Sequence, residues 1–415
     1  MRVFTQLTGN IVVGQSGGPT AVINASVAGV YVAGKELGAA KVYGMVNGIQ
    51  GFLKENLLDL DEYLAEDEGI ELLKRTPAAF LGTCRYKLPV PEGHEDIYEQ
   101  IFAVMEKYEV TTMLYIGGND SMDTVKMLSD YALTHGKPQR FVGIPKTIDN
   151  DLPVTDHCPG FGSAAKYIAT SLKEIIRDNE AYEGKTKLIL VEIMGRHAGW
   201  LTGAAGLAKG EDCTGVDAIY LPERVFDVNA FVAKIEELAA QKSSVVIAVS
   251  EGVKLADGRF VSELLAESTD VDVFGHKQVA GSCATLANIV EQRTGIKARV
   301  IEPSLLQRAA THIASLTDIE EAFEAGSAGV KAAMEGLSGV MITLNRVNDA
   351  PYKCETAAYD IHAIANLEKM VPKHFINEDG CQITDEFLAY LRPLIQGELY
   401  PIFKDGLPAH LVRRK

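Results

Sequence analysis

The sequence has 415 residues and a formal net charge of −16. That length allows two or three domains and a sizeable core, and that charge makes nucleic acid and anionic membranes poor partners. Hydrophobic residues make up 47% and charged residues 23%, an ordinary globular balance, so a phosphate-bearing substrate would need a local basic island in an acidic protein.

Asn10 to Gly14 reads as a short strand, Gln15-Ser16-Gly17-Gly18-Pro19-Thr20 as a tight turn, and Ala21 to Leu37 has helical apolar spacing. Strand, glycine turn and helix together aim backbone N–H groups at an anion. Lys41 to Val46 is a second strand, and Gly82 to Lys87 places Arg85 and Lys87 in a loop. A helix over Glu95 to Tyr108 leads to the strand Thr112 to Ile116, which ends in Gly117-Gly118-Asn119-Asp120-Ser121. The next helix starts there, with Asp120 or Ser121 expected as its N-cap.

Phe141 to Ile144 is a buried strand that runs into Pro145-Lys146-Thr147-Ile148-Asp149-Asn150-Asp151. Pro145 and Pro153 bracket this stretch and argue against helix. A loop carrying two carboxylates and a lysine at a strand end lies where open α/β sheets place ligands, and it suits proton abstraction beside an anionic group. A helix follows from Gly160 to about Asn179, then a strand from Lys187 closing on Met194-Gly195-Arg196-His197. Further strands are expected at Val216 to Leu221, at Ser244 to Val249 before Ser250-Glu251-Gly252, and at Lys297 to Ile301 before Leu305-Leu306-Gln307-Arg308. Strands alternate with helices, so the fold class is α/β with parallel sheets. From Asn345 onward the pattern weakens to mixed structure with one late helix near Asp385 to Gln396.

The six cysteines, Cys84, Cys158, Cys213, Cys283, Cys354 and Cys381, include no C-x-x-C pair, and they are expected to be buried thiols in a reducing compartment. The best apolar run, Leu188 to Met194, contains Glu192 and is far too short to span a bilayer. The first residues lead straight into a strand pattern without the layout of a signal peptide. A soluble cytoplasmic protein is expected.

Collected at the strand ends are the acids Asp120, Asp149, Asp151 and Glu251 and the bases Arg85, Lys146, Lys187, Arg196, Arg299 and Arg308. Carboxylates, glycine turns and several cations at the ends of α/β strands point to phosphoryl transfer, which needs positioning, charge neutralisation and one base to orient the nucleophile.

With Ser-Gly-Gly-Pro (16–19), Gly-Gly-Asn-Asp (117–120), Pro-Lys-Thr-Ile-Asp-Asn-Asp (145–151), Met-Gly-Arg (194–196), Ser-Glu-Gly (250–252) and Gln-Arg (307–308) in this order, the chain resembles the phosphofructokinase family and, within it, the pyrophosphate-dependent branch. The resemblance implies two similar Rossmann-like three-layer α/β/α domains with the active site in the cleft between them. A phosphoryl-donor domain would take residues 1–160 and about 309–375, and a sugar-phosphate domain about 161–308 and 376–415. It also implies a homodimer or homotetramer whose neighbouring subunits share each sugar site.

Carried over residue by residue, the resemblance makes Asp149 the general base toward the 1-hydroxyl of fructose 6-phosphate, with Thr147 and Asp151 holding that hydroxyl and the metal-phosphate end. Met194, Gly195, Arg196, Glu251 and Arg308 match the sugar-phosphate grip, and Arg196 is also placed with the catalytic set. Lys187 and Arg299 match cations reaching in from a neighbouring subunit, and Gly17, Gly18, Arg85 and Gly118 match the donor side. Asp120 and Lys146 stand where nucleotide-using relatives carry glycine. A carboxylate at Asp120 would crowd and repel an inner nucleotide phosphate, while Lys146 adds a compact cation suited to pyrophosphate. Mg²⁺ is the implied metal, assigned to Asn119 and Asp120, with Asn119 standing where the family usually has aspartate. Leu305 departs from the polar ring usual in the family, and Lys187 replaces the more usual arginine. The rival readings are the same fold using ATP, a kinase of the NAD or lipid type with a related glycine turn, and a non-catalytic subunit.

Overall fold

Short apolar runs with little polar alternation form strands covered on both faces, as parallel sheets require. Together with the less buried edge strands, the two sheets contain β1 (Asn10–Gln15), β2 (Val42–Met45), β3 (Leu57–Asp59), β4 (Val110–Gly117), β5 (Arg140–Pro145), β6 (Lys187–Ile193), β7 (Ala218–Tyr220), β8 (Ser244–Ser250), β9 (Ala298–Ile301), β10 (Val340–Asp349) and β11 (Tyr352–Asp360). The computed structural model describes residues 9–181, 187–264 and 281–414. The opening layout read as lacking a signal peptide lies, for residues 1–8, outside the described residues.

The first sheet has the order β11-β10-β5-β4-β1-β2-β3 and the second β7-β8-β6-β9. In the first, β1, β2, β4, β5 and β10 run parallel, while β3 and β11 pair antiparallel at the two edges. All pairs of the second sheet are parallel. Ile11 and Val13 of β1 pack into one apolar cluster and Val12 into another on the opposite face. In β6 the same division separates Ile189, Val191 and Ile193 from Leu188 and Leu190. Each such side chain contributes about 1.5–3 kcal/mol when fully buried, so both sheets are the middle layers of α/β/α sandwiches.

Chain order fixes where a cleft must form. From β1 the chain moves through the helix Ile23–Glu36 to β2 on one side, then returns through the helix Glu95–Lys107 to β4 on the other. The strand order reverses between β1 and β4, and ligands bind beyond the carboxyl ends of strands at such a point. β6 is similarly flanked by β8 on one side and β9 on the other.

The mixed structure expected after Asn345 is instead an antiparallel hairpin, β10–β11, docked by β10 on β5. β11 is half-exposed along its length, so no buried run announces it. The late helix is α-helical over Asp385–Leu391 and tightens to a 3₁₀ turn over Arg392–Ile395, where Pro393 removes a backbone donor. All six cysteines are free thiols, four of them buried. Among the described residues no helix is long and apolar enough to cross a membrane.

Candidate active site

A cavity of about 750 Å³ opens where the carboxyl ends of the two sheets face each other. Its first wall is the turn after β1. Gly17 has φ +74°, a conformation that glycine adopts without strain; its N–H donates to the Cys84 carbonyl at 3.2 Å and its carbonyl accepts from Thr83 Oγ1 at 2.6 Å. Gly118, Asn119 and Asp120 from the end of β4, together with Arg85, complete this wall. The helix here begins at Asn119, and its N-cap is Gly118, with no side-chain cap bond. Asp120 therefore lies in the first helical turn, beside the positive end of the helix, and neither it nor Ser121 is the expected N-cap.

The loop after β5 crosses the cavity floor. Lys146 is 5% exposed and donates from Nζ to the Gly18 carbonyl at 2.7 Å. Burial pushes its pKa down to about 8 against the opposing pull of Asp149 and Asp151. The Thr147 hydroxyl accepts the Asp149 N–H at 3.0 Å. Asn150 takes a left-handed φ of +54°, which asparagine tolerates. Its Oδ1 accepts from the Cys158 N–H at 2.9 Å and its Nδ2 donates to Tyr390 Oη at 2.9 Å. The loop is thus pinned from behind while Asp149 and Asp151 line the cavity. Burial raises the Asp149 pKa although Lys146 and Arg196 oppose it. Asp151 is raised to about 7, first by burial and then by Asp149.

The third wall comes from the second sheet. Met194 and Arg196 follow β6, and Glu251 follows β8, with the Glu251 N–H bonded to the Ile193 carbonyl at 2.9 Å. The Gly195 N–H donates to Glu251 Oε1 at 3.2 Å, and burial holds that carboxyl up at about 7. A Cβ at Gly252 would lie 1.9 Å from the Arg196 carbonyl oxygen, so only glycine lets the β8 turn press against the backbone that carries Arg196. Gln307, 2% exposed, accepts the Met194 N–H at 3.1 Å and thereby ties the Gln-Arg motif to Met-Gly-Arg. Arg308 reaches across to the glycine turn of the first wall: a Cβ on Gly18 would sit 3.1 Å from its Nη1. Burial and the nearby Arg85 lower the Arg308 pKa. Arg196 Nε is buried without a hydrogen-bond partner among the described residues.

Lys187 and Arg299 stand apart from this cavity, Lys187 at the start of β6 and Arg299 opposite Ile189 on β9. Leu305 is 57% exposed, beside the short helix Leu306–Ala309 and also outside the lining.

Sequence reasoning missed the segment Asn366-Leu367-Glu368, which closes one side of the cavity. The Asn119 amide grips it at two points: Oδ1 accepts the Asn366 N–H at 2.7 Å and Nδ2 donates to the Leu367 carbonyl. His197, next to Arg196, lines the cavity and meets Glu368 at 3.0 Å through Nδ1. Trp200, by contrast, is a core residue at 3% exposure. No periodicity or motif marks residues 366–368, and their partners lie far away in the chain.

His157, given no role from sequence, is buried between Asp156 (2.8 Å) and Glu321 (2.6 Å). Burial opposes its charge, but the two carboxylates prevail and raise its pKa to about 9. With Glu321 and Cys354 it forms a group close enough to hold a metal. Both its ring nitrogens already face carboxylates, so the cluster is satisfied as an ion-paired tether of the loop behind the floor.

The comparisons with known proteins agree with this layout. A family profile described as phosphofructokinase matches residues 10–301. A protein of Methylococcus capsulatus named pyrophosphate–fructose 6-phosphate 1-phosphotransferase is 44% identical over 400 residues, covering 96% of this chain and 94% of its own. One of the same name from Xanthomonas campestris is 43% identical over 405 residues, covering 97% of this chain and 96% of its own. The crystal structure of a pyrophosphate-dependent phosphofructokinase from Nitrosospira multiformis superimposes with a TM-score of 0.87 at 39% identity, over 99% of each chain. Motif order, two largely parallel sheets meeting at one cavity and near full-length similarity give one conclusion: this chain belongs to the phosphofructokinase family.

Proposed function

We propose that the protein transfers a phosphoryl group from pyrophosphate to the 1-hydroxyl of fructose 6-phosphate, reversibly, giving fructose 1,6-bisphosphate and phosphate. The observation that carries this reading is the position of Lys146 and Asp149. They share one loop between a glycine turn on one wall and Arg196, Glu251 and Arg308 on the other, all lining a single cavity. Asp149 takes the proton of the attacking hydroxyl, a role favoured by a raised carboxyl pKa. Lys146, Arg85 and Arg308 spread the charge that moves from the attacking oxygen to the departing phosphate. Arg196, Arg308 and Glu251 orient the sugar phosphate, with Met194 and Gly195 shaping the pocket and Thr147 and Asp151 beside the reacting hydroxyl.

Asp120 argues for pyrophosphate as donor. A carboxylate in the first turn of the helix occupies ground where an inner nucleotide phosphate would otherwise meet the helix N-terminus. A divalent metal fits the donor set, since Asp120 and Asp151 offer hard oxygens beside the glycine turn. These two carboxylates would hold Mg²⁺, while the Asn119 amide is occupied by residues 366 and 367. When bound, the metal would neutralise part of the pyrophosphate charge.

The positions of Lys187 and Arg299 away from the cavity fit cations directed at a neighbouring subunit's sugar site, which supports a homodimer or homotetramer. A donor domain of residues 1–160 and about 309–375, and a sugar domain of about 161–308 and 376–415, are supported by the composition of the two sheets. A cytoplasmic place in glycolysis follows from the same reaction. The deciding experiment supplies pyrophosphate or ATP in turn to purified protein with fructose 6-phosphate and Mg²⁺. Fructose 1,6-bisphosphate formed with pyrophosphate and not with ATP is expected; product with ATP alone would overturn the donor reading.

A further inference from the structure

The segment that closes the cavity is held from both sheets. On the donor side the Asn119 amide clasps the backbone of Asn366 and Leu367, and Asn366 Nδ2 reaches Asp123 at 2.9 Å. On the acceptor side Glu368 meets His197, the residue after Arg196, at 3.0 Å. The Lys369 N–H donates to the Asp151 carbonyl at 2.6 Å, and its own carbonyl accepts from Trp200 Nε1 at 2.8 Å. Further along, the buried Glu223 carboxylate takes N–H groups from both Val371 (3.0 Å) and Gly199 (2.8 Å). Residues 366–371 thus form a strap running from the donor turn, past the catalytic loop, to the loop that carries Arg196 and His197.

We propose that Asn119 is a positioning residue for the acceptor: through the strap it sets the place of Glu368 and His197, and with them the fructose 6-phosphate side of the cavity. The amide accepts from one backbone N–H through its oxygen and donates to a carbonyl through its nitrogen, a pairing that an ionised carboxylate cannot make. An aspartate would keep the acceptor but face the Leu367 carbonyl with a second negative oxygen. The choice of asparagine at 119 therefore serves the strap and not a metal. Asn366 adopts φ +64°, and its N–H and the Leu367 carbonyl both meet the Asn119 amide. The inference rests on the assignment of Arg196, Glu251 and Arg308 to the sugar.

The test is a calorimetric double-mutant cycle on full-length protein, with fructose 6-phosphate as the probe and no pyrophosphate or metal present. Asn119→Ala and Glu368→Ala are each expected to weaken binding by roughly tenfold, and the double variant no more than the worse single one, because both act through one strap. Asn119→Asp, nearly the same size and so less exposed to folding failure, is expected to weaken binding as the alanine does. Full additivity in the cycle, or wild-type sugar affinity in Asn119→Asp, would overturn the proposal. A wild-type protein that binds no fructose 6-phosphate would overturn the sugar-side assignment as well, and that failure is recognisable because it precedes any substitution.

Discussion

The two walls of the cavity are built by different means. The wall from the first sheet is mostly backbone: a turn bonded to the 83–84 loop and a helix start, tied to the floor by the buried Lys146 at the Gly18 carbonyl. The wall from the second sheet is mostly side chains hung on its strand ends, among them an arginine whose buried Nε has no partner among the described residues and a glutamate whose pKa burial raises to about 7. Backbone suits a small, symmetrical, highly charged donor, because its N–H groups cannot swing away. Side chains suit a sugar, where a phosphate must be gripped at one end and a hydroxyl aimed at the other. The first wall holds its form through its own hydrogen bonds, whereas the second leaves Arg196 Nε without one among the described residues.

Asp149, between the walls, gives the sharpest break. Asp149→Asn should lower turnover by about 10²–10⁴-fold while calorimetry shows fructose 6-phosphate affinity nearly kept; turnover near wild type would remove Asp149 from the base role. Arg196→Ala should raise the fructose 6-phosphate KM by about 10–100-fold and leave the pyrophosphate KM close to its starting value. Steady-state kinetics in both substrates reads this out, and a change confined to pyrophosphate would merge the two walls into one. The mildest effect is a pH limb. Lys146 is charged below its pKa of about 8 and loses that charge as the pH rises through it. The kcat/KM for pyrophosphate should therefore fall above pH 8 by about tenfold per unit, while that for the sugar falls less. Lys146→Arg should flatten the limb, since guanidinium stays protonated there.

Much of this was legible in the sequence because the informative residues sit at strand ends. Buried runs such as Phe141–Ile144 and Leu188–Ile193 announced strands, and the motifs just beyond them fell on the cavity. Asp149, Lys146, Arg196, Glu251 and Arg308 came to line the cavity in this way. The misses share a different cause. Strand β11 alternates without a buried face, so its pattern is weak. Residues 366–368 belong to no regular element and reach the cavity only through contacts spanning most of the chain, and a single sequence carries no trace of such contacts. Asn119 was read as a weakened metal ligand because the segment that occupies its amide was invisible.

The first sheet has a consequence for synthesis. Its core strands lie in the first 145 residues, but β10, which covers the outer edge of β5, begins at Val340. Between them the ribosome must make every strand of the second sheet, which is contiguous from Lys187 to Ile301. The later sheet can therefore close before the earlier one, and the nascent β5 waits through some two hundred residues with an open edge of the kind that invites wrong pairing. A chain cut after residue 160 would keep that edge permanently and should be recovered as aggregate, even though the strands leading into the donor turn are all present in it.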